Sequence, residues 1–224
     1  MTSSQPRHIH FLKTLKKHVE LSSIIIVPKK DHSKEERQFF KDSLELTDKI
    51  YLKCTKQNLE SDLVIESLVK IRPKVGFIFG APLVTSKIYS IPEYGCVNIH
   101  TGLVQYYRGV DSTQWAIYEN KLDRIGATLH YIDNTIDAGN IIGQKRTEIS
   151  LNDNPEKLFL KTCQAGFDLL SENILDIINN TASSKVLGTR GKLYQLKDMT
   201  TEIQEEINTQ YQKRIRSFIN ENNS

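Results

Sequence analysis

Long apolar runs are scarce in this chain of 224 residues. The longest, residues 23–28 around Ile24-Ile25-Ile26-Val27, falls far short of the ~20 residues needed to cross a bilayer, so no membrane partner is expected. The amino terminus lacks the order of basic, apolar and small residues that marks a secretory signal, which leaves the cytoplasm as the default compartment. Cysteine is sparse too. Cys54, Cys96 and Cys163 are odd in number, far apart and without Cys-x-x-Cys spacing, so they read as buried reduced thiols and no metal is expected. Nor is one sign of charge in excess. Thirty Lys and Arg against 27 Asp and Glu give a dispersed net charge of +3, which argues against a nucleic-acid surface while leaving room for an anionic substrate. No Gly-x-Gly-x-x-Gly follows any strand signal, which counts against a dinucleotide oxidoreductase.

What is present alternates. Ser4-Gln5-Pro6 opens a helix carrying Ile9, Leu12 and Leu15 to about Lys17. Residues 23–28 form a β-branched strand closed by Pro28, residues 34–44 an exposed charged helix, and residues 50–52 a short strand. An amphipathic helix over residues 58–71 stops at Pro73. A buried strand over 75–79 then exits into Gly80-Ala81-Pro82. Further strands are expected over 96–100, 126–132 and 141–149, the last antiparallel to its neighbour. Helices are expected over 111–119 and 154–178, and a tail holds residues 191–194 and a helix over 201–219. Strands alternating with helices imply an α/β, Rossmann-like, doubly wound and mostly parallel sheet, with sites where strand carboxyl ends meet loops. Residues 1–180 read as the catalytic domain and 181–224 as a carboxyl-terminal extension, either an appendage or an element of a homodimer. Doubly wound folds begin with a strand, yet here a helix signal comes first. The first strand is therefore expected to be missing, through a truncated or misassigned start.

The segment Cys96-Val97-Asn98-Ile99-His100 sets a carboxamide and an imidazole two residues apart, on one face of a strand. Ile136-Asp137-Ala138-Gly139 adds a carboxylate at a strand–turn junction. An amide donor, an imidazole and an acid are what acyl transfer to an amine requires: a group to hold a developing oxyanion, one to move a proton and one to tune the mover. No cysteine occupies a nucleophile position, and Cys96 is expected to point away from Asn98.

Asn98-Ile99-His100, Gly102-Leu103, Tyr107-Arg108-Gly109, Trp115-Ala116-Ile117, residues 126–130 and Ile136-Asp137-Ala138-Gly139-Asn140-Ile141-Ile142 follow in one order at close spacing. This set resembles the 10-formyltetrahydrofolate-dependent formyltransferases, most closely over residues 70–150. The resemblance implies that 10-formyltetrahydrofolate is the cosubstrate and that a tetrahedral intermediate forms by direct attack of the acceptor amine. Asn98 and protonated His100 would stabilise the oxyanion and Asp137 would relay the amine proton, with neither metal nor covalent enzyme intermediate. Phe79-Gly80-Ala81-Pro82-Leu83 matches the loop that cradles the folate, with Tyr131, Ile132, Asp133 and Ile136 in the second wall. His130 is read as a structural residue beneath the site. Arg108 with Gly109 orders a loop or touches substrate, with loop ordering preferred, and Tyr107 is grouped with them on the substrate side.

Two departures from the family bear on the acceptor. The His-Pro-Ser-Leu-Leu-Pro of many members is replaced by His100-Thr101-Gly102-Leu103-Val104-Gln105, and the glycine-rich phosphate loop of the glycinamide ribonucleotide enzymes by residues 3–8, where Arg7 and His8 are candidate phosphate ligands. Methionyl-tRNA enzymes carry an additional β-barrel domain of which there is no trace here. The resemblance therefore favours a sugar-nucleotide N-formyltransferase of surface-polysaccharide synthesis, whose acceptor is a nucleotide-linked amino sugar. Glycinamide ribonucleotide or methionyl-tRNA as acceptor, and a catalytically silent formyltransferase-like fold, stand as alternatives.

Overall fold

The computed structural model describes residues 1–29, 31–41 and 52–222. Its elements run α1 (Pro6–Lys16), β1 (Ile25–Ile26), α2 (Lys34–Phe39), β2 (Leu52–Lys53), α3 (Asp62–Ile71), β3 (Gly76–Phe79), α4 (Ser86–Tyr89), β4 (Cys96–His100) and β5 (Tyr107–Gly109). They continue with α5 (Ser112–Tyr118), β6 (Gly126–Tyr131), β7 (Ile141–Arg146), α6 (Pro155–Ile178), β8 (Lys192–Tyr194) and α7 (Thr201–Asn222). The expected end of the second helix and the start of the strand at 50–52 lie outside the described residues. No helix among those described is long and apolar enough to cross a membrane.

β1 and β2 pair in parallel, as do β3 and β4, while β6 and β7 follow antiparallel, so the mostly parallel α/β sheet ends in the antiparallel edge expected at residues 141–149. Alternation along β4 and β6 sorts the side chains. Val97, Ile99 and Leu129 join Phe11, Leu12 and Leu15 of α1 and the apolar stripe of α6 in the main core. Cys96 falls on the opposite face, in a second cluster with Leu68 of α3, Ile78 and Ile88. Cys96 therefore shares the face of Asn98, as a spacing of two requires; the expectation that it points away is corrected. α6 starts where Asn154 accepts a hydrogen bond from Lys157 N–H with Pro155 in the first turn, a cap that fixes its entry.

No full strand precedes α1, but the slot is not empty. Thr2 N–H donates to Ile25 O (3.0 Å) and Val27 N–H to Thr2 O (3.0 Å), while Phe79 N–H donates to Met1 O (3.1 Å). A two-residue stub thus joins β1 to β3 and makes one sheet of the two; sequence patterning missed it because Thr2-Ser3 carries no apolar signal. Below the stub the slot is a cavity of about 390 Å³ lined by Ile24, Ile25, Phe77, Leu15, Leu68 and Ile71. Strand alternation aims the N–H groups of Ile25 and Phe77 into it. Two β-branched residues added ahead of Met1 would pair those groups and bury their own side chains. Net of ordering cost, the gain is expected to be about 1–2 kcal/mol, a rise in Tm of a few degrees. An unchanged or lower melting temperature would show that the cavity does not accept a strand.

The expected extension is no loose appendage. β8 pairs in parallel with β5, and Trp115 of α5 stacks on Tyr194 at 4.1 Å between ring centroids. Ile207 and Ile215 of α7 share that core with Tyr107 and Trp115.

Candidate active site

Because β4 and β6 are antiparallel with Asn98 opposite His130 and His100 opposite Thr128, four polar side chains stand on one face of the sheet. The turn after β6 brings Asp137 to them. Its backbone is left-handed (φ 48°), a conformation that aspartate tolerates better than most residues. Asp137 Oδ2 accepts Gly109 N–H at 2.9 Å and lies 3.4 Å from His100 Nδ1. Its Oδ1 lies 3.5 Å from Asn98 Nδ2 and 3.6 Å from His130 Nε2. Asn98, His100 and Asp137, expected together, are together.

The proton positions follow from the partners. His100 Nε2 is 3.1 Å from Tyr107 O, which can only accept, so Nε2 carries hydrogen; Ser112 Oγ is 3.2 Å from the same atom. His130 Nδ1 likewise donates to Tyr131 O at 2.8 Å, and its Nε2 lies 3.3 Å from Asn98 Nδ2. Burial pushes the His100 pKa below its ordinary value, outweighing the pull of Asp137. Burial alone would raise the Asp137 carboxyl, but the charge that His100 and His130 carry when protonated, with the Gly109 N–H, overcomes it and holds the group well below the usual carboxylate range. The resting pair at neutral pH is a neutral His100 beside an ionised Asp137.

His130 belongs to this cluster and not merely beneath it. The signal was its parity, since residues 128 and 130 share the face of Asn98 once the antiparallel register is known.

Four other side chains expected at the site are engaged elsewhere. Arg7 is ion-paired with Glu36 and donates to Gln5 Oε1, so its guanidinium is not free for phosphate. His8 is buried against Thr2 Oγ1 (2.8 Å), under Gly80, where a Cβ would lie 2.3 Å from its Cε1. Tyr107 sends its hydroxyl to Glu119 Oε2 (2.8 Å) and offers the site only its carbonyl. The Phe79 ring packs in the main core against Phe11 and Phe167. Arg108 donates to Gly191 O (2.9 Å) and Ile136 O (3.1 Å), tying two loops together.

Gly80, Ala81, Pro82 and Leu83 follow β3 as an open loop. Leu83 is 68% exposed and Ile136 38%, though both are apolar. Ala81 and Ile132 pack on one cluster; Tyr131 is partly buried against the main core and Asp133 is exposed, capping Thr135 N–H at 2.7 Å. Among the described residues the N–H groups of Ala81 and Leu83 have no hydrogen-bond partner. Free backbone donors next to uncovered apolar side chains fit a flat, polar-edged heterocycle.

The sequence profile of the formyl transferase family matches residues 4–174. The chain belongs to that family. Methionyl-tRNA formyltransferase of Thermodesulfovibrio yellowstonii is 31% identical over 122 residues, which take in 54% of this chain and 39% of that protein. The chain thus spans about two fifths of the length of the curated relatives it matches. Among solved structures, a 4-N formyltransferase from Francisella tularensis superposes with a TM-score of 0.64 at 21% identity, covering 94% of this chain and 84% of its own. The N-formyltransferase from Helicobacter canadensis, solved with folinic acid and dTDP-3-aminofucose, gives a TM-score of 0.59 at 22% identity, covering 89% of this chain and 71% of its own. At these identities the likeness establishes the fold: this chain has the α/β architecture of its relatives.

Proposed function

We propose that this formyl transferase moves a formyl group from 10-formyltetrahydrofolate to the amino group of a nucleotide-linked amino sugar. The observation that carries the reading is the meeting of Asn98, His100 and ionised Asp137 on one face of the sheet. The folate supplies an electrophilic one-carbon unit, held by residues 80–83 on one side and by Ile132, Asp133 and Ile136 on the other. Asn98 donates an amide N–H to the formyl oxygen as it gains charge, an interaction whose loss costs about 3–4 kcal/mol of barrier. Asp137 accepts the proton released by the attacking amine and shares it with the bare Nδ1 of His100. The imidazolium so formed, its Nε2–H already held by Tyr107 O, lies beside the oxygen that carries negative charge; as the intermediate collapses, the bond from the formyl carbon to the folate nitrogen breaks, the proton goes to that nitrogen and tetrahydrofolate leaves. Burial of His100 keeps the ring neutral until that proton arrives.

The amino-sugar acceptor is supported by the fold's likeness to enzymes solved with nucleotide sugars. The sequence relatives favour a second acceptor, methionyl-tRNA. Purified protein supplied with 10-formyltetrahydrofolate, a panel of dTDP- and UDP-linked 3-amino and 4-amino sugars, glycinamide ribonucleotide and methionyl-tRNA separates these by mass spectrometry of the products. A formylated nucleotide sugar is the expected product. Formylation of tRNA or glycinamide ribonucleotide alone would replace the acceptor, and transfer to none would leave a silent fold.

A further inference from the structure

We infer that Arg108 is a positioning residue for Asp137, and that the segment beyond the family profile completes the site through it; the inference rests on the role given to Asp137 above. The turn over residues 133–139 is anchored at both ends. Asp133 caps Thr135 N–H, and Tyr131 N–H donates to Asn140 O at 2.9 Å. Between those anchors Asp137 holds a left-handed φ of 48°, which costs an L-residue energy and relaxes unless something opposes it. That angle is set by the orientation of the Ile136–Asp137 peptide plane, and the Ile136 carbonyl is held by Arg108 at 3.1 Å. Gly109, the next residue, gives its N–H to the Asp137 carboxylate at 2.9 Å. Two adjacent residues of β5 therefore fix both the backbone and the side chain of Asp137.

Arg108 is itself fixed from the tail. Its Nε–H donates to Gly191 O at 2.9 Å, and Gly191 lies past the last residue matched by the family profile. Gly191 N–H donates to Val104 O at 2.9 Å, and a Cβ at Gly191 would lie 2.3 Å from the Tyr106 carbonyl carbon, so only glycine brings this carbonyl within reach of Arg108. Glu119 accepts hydrogen bonds from the hydroxyls of both Tyr107 and Tyr194, at 2.8 and 2.7 Å, and staples β5 to β8. The chain of contacts runs from tail backbone to guanidinium, from guanidinium to peptide plane, and from there to the carboxylate facing His100.

The variants Arg108→Gln and Gly191→Ala test this. Both are expected to lower kcat by about a hundredfold, the usual consequence of misplacing a group by an ångström, with KM for each substrate within about twofold. Combined with Asp137→Asn, Arg108→Gln is expected to add little further loss, because both changes act on one group. A raised KM with intact kcat would make Arg108 a substrate ligand and overturn the inference, as would fully additive losses or wild-type turnover. A second readout needs no acceptor: ¹⁵N-resolved titration of His100 in Arg108→Gln is expected to move toward that of Asp137→Asn. A His100 titration unchanged from wild type would overturn the positioning role whether or not the protein transfers formyl groups.

Discussion

Asp137→Asn is expected to cut turnover by about a thousandfold while leaving the fold in place. Asparagine tolerates the left-handed backbone that Asp137 adopts, and its carbonyl oxygen can still take the Gly109 N–H. What it cannot do is carry negative charge. In the proposed mechanism the carboxylate is where the proton of the attacking amine first goes, and it makes a charged His100 tolerable in a buried place. With a neutral amide there, the largest opposition to burial is gone, only the Tyr107 carbonyl still favours the charged ring, and the His100 pKa drops further. The replacement also turns an acceptor into a donor on the side of Asn98, so two amide N–H groups oppose one another and the oxyanion donor shifts. Initial rates at saturating folate and acceptor, with a thermal melt as control, measure the effect. A variant that melts normally and keeps more than about a tenth of the wild-type kcat would remove Asp137 from the proton path, since general acid–base catalysis is worth at least about a hundredfold.

The reach of the sequence is uneven across this site, for physical reasons. Asn98 and His100 were legible because strand alternation is local: a spacing of two decides the face whatever the partner. Asp137 was legible because Asp-Ala-Gly marks a turn. The limits of α6 were legible because Asn154-Pro155 caps one end. The position of His130 beside Asn98 is not legible because it depends on the register between β4 and β6, set across 32 residues. Tyr107 and Arg108 were placed by side-chain type, yet Tyr107 serves through its carbonyl and Arg108 through two backbone carbonyls, contacts that leave no pattern in the sequence. Arg7 looked available for phosphate because its counter-charge, Glu36, lies 29 residues away on another helix. Thr2 has strand propensity, but a single β-branched residue makes no readable run; it pairs because β1 and β3 leave it a slot between them.

Stability against unfolding is expected to fall steeply as pH drops below about 6.5, with buried imidazoles as the cause. His100 and His8 are both buried, and burial lowers both pKa values, that of His8 well below 6.5 with help from the charges of Arg7 and Lys29. In the unfolded chain each ring takes up a proton as pH passes the ordinary histidine value, while in the folded chain each resists it. The unfolded state then binds more protons, so each ring removes up to ~1.4 kcal/mol per pH unit until its folded pKa is reached. The Met1 amine, pushed down from 8.0 to about 6 by burial, works in the same direction at higher pH, between those two values. Asp137 adds a further loss only below the ordinary carboxylate range, where its depressed pKa lets the unfolded state protonate first. All four groups therefore favour the folded state on the alkaline side. Urea titrations at half-unit steps from pH 8 to 5 measure the slope, and His100→Asn should reduce it by the share of one proton between 6.5 and the folded pKa of that ring. A stability that is flat or rising on acidification through this window would mean that these rings take up protons in the folded state, and a neutral resting His100 could not then be the acceptor for the proton of the amine.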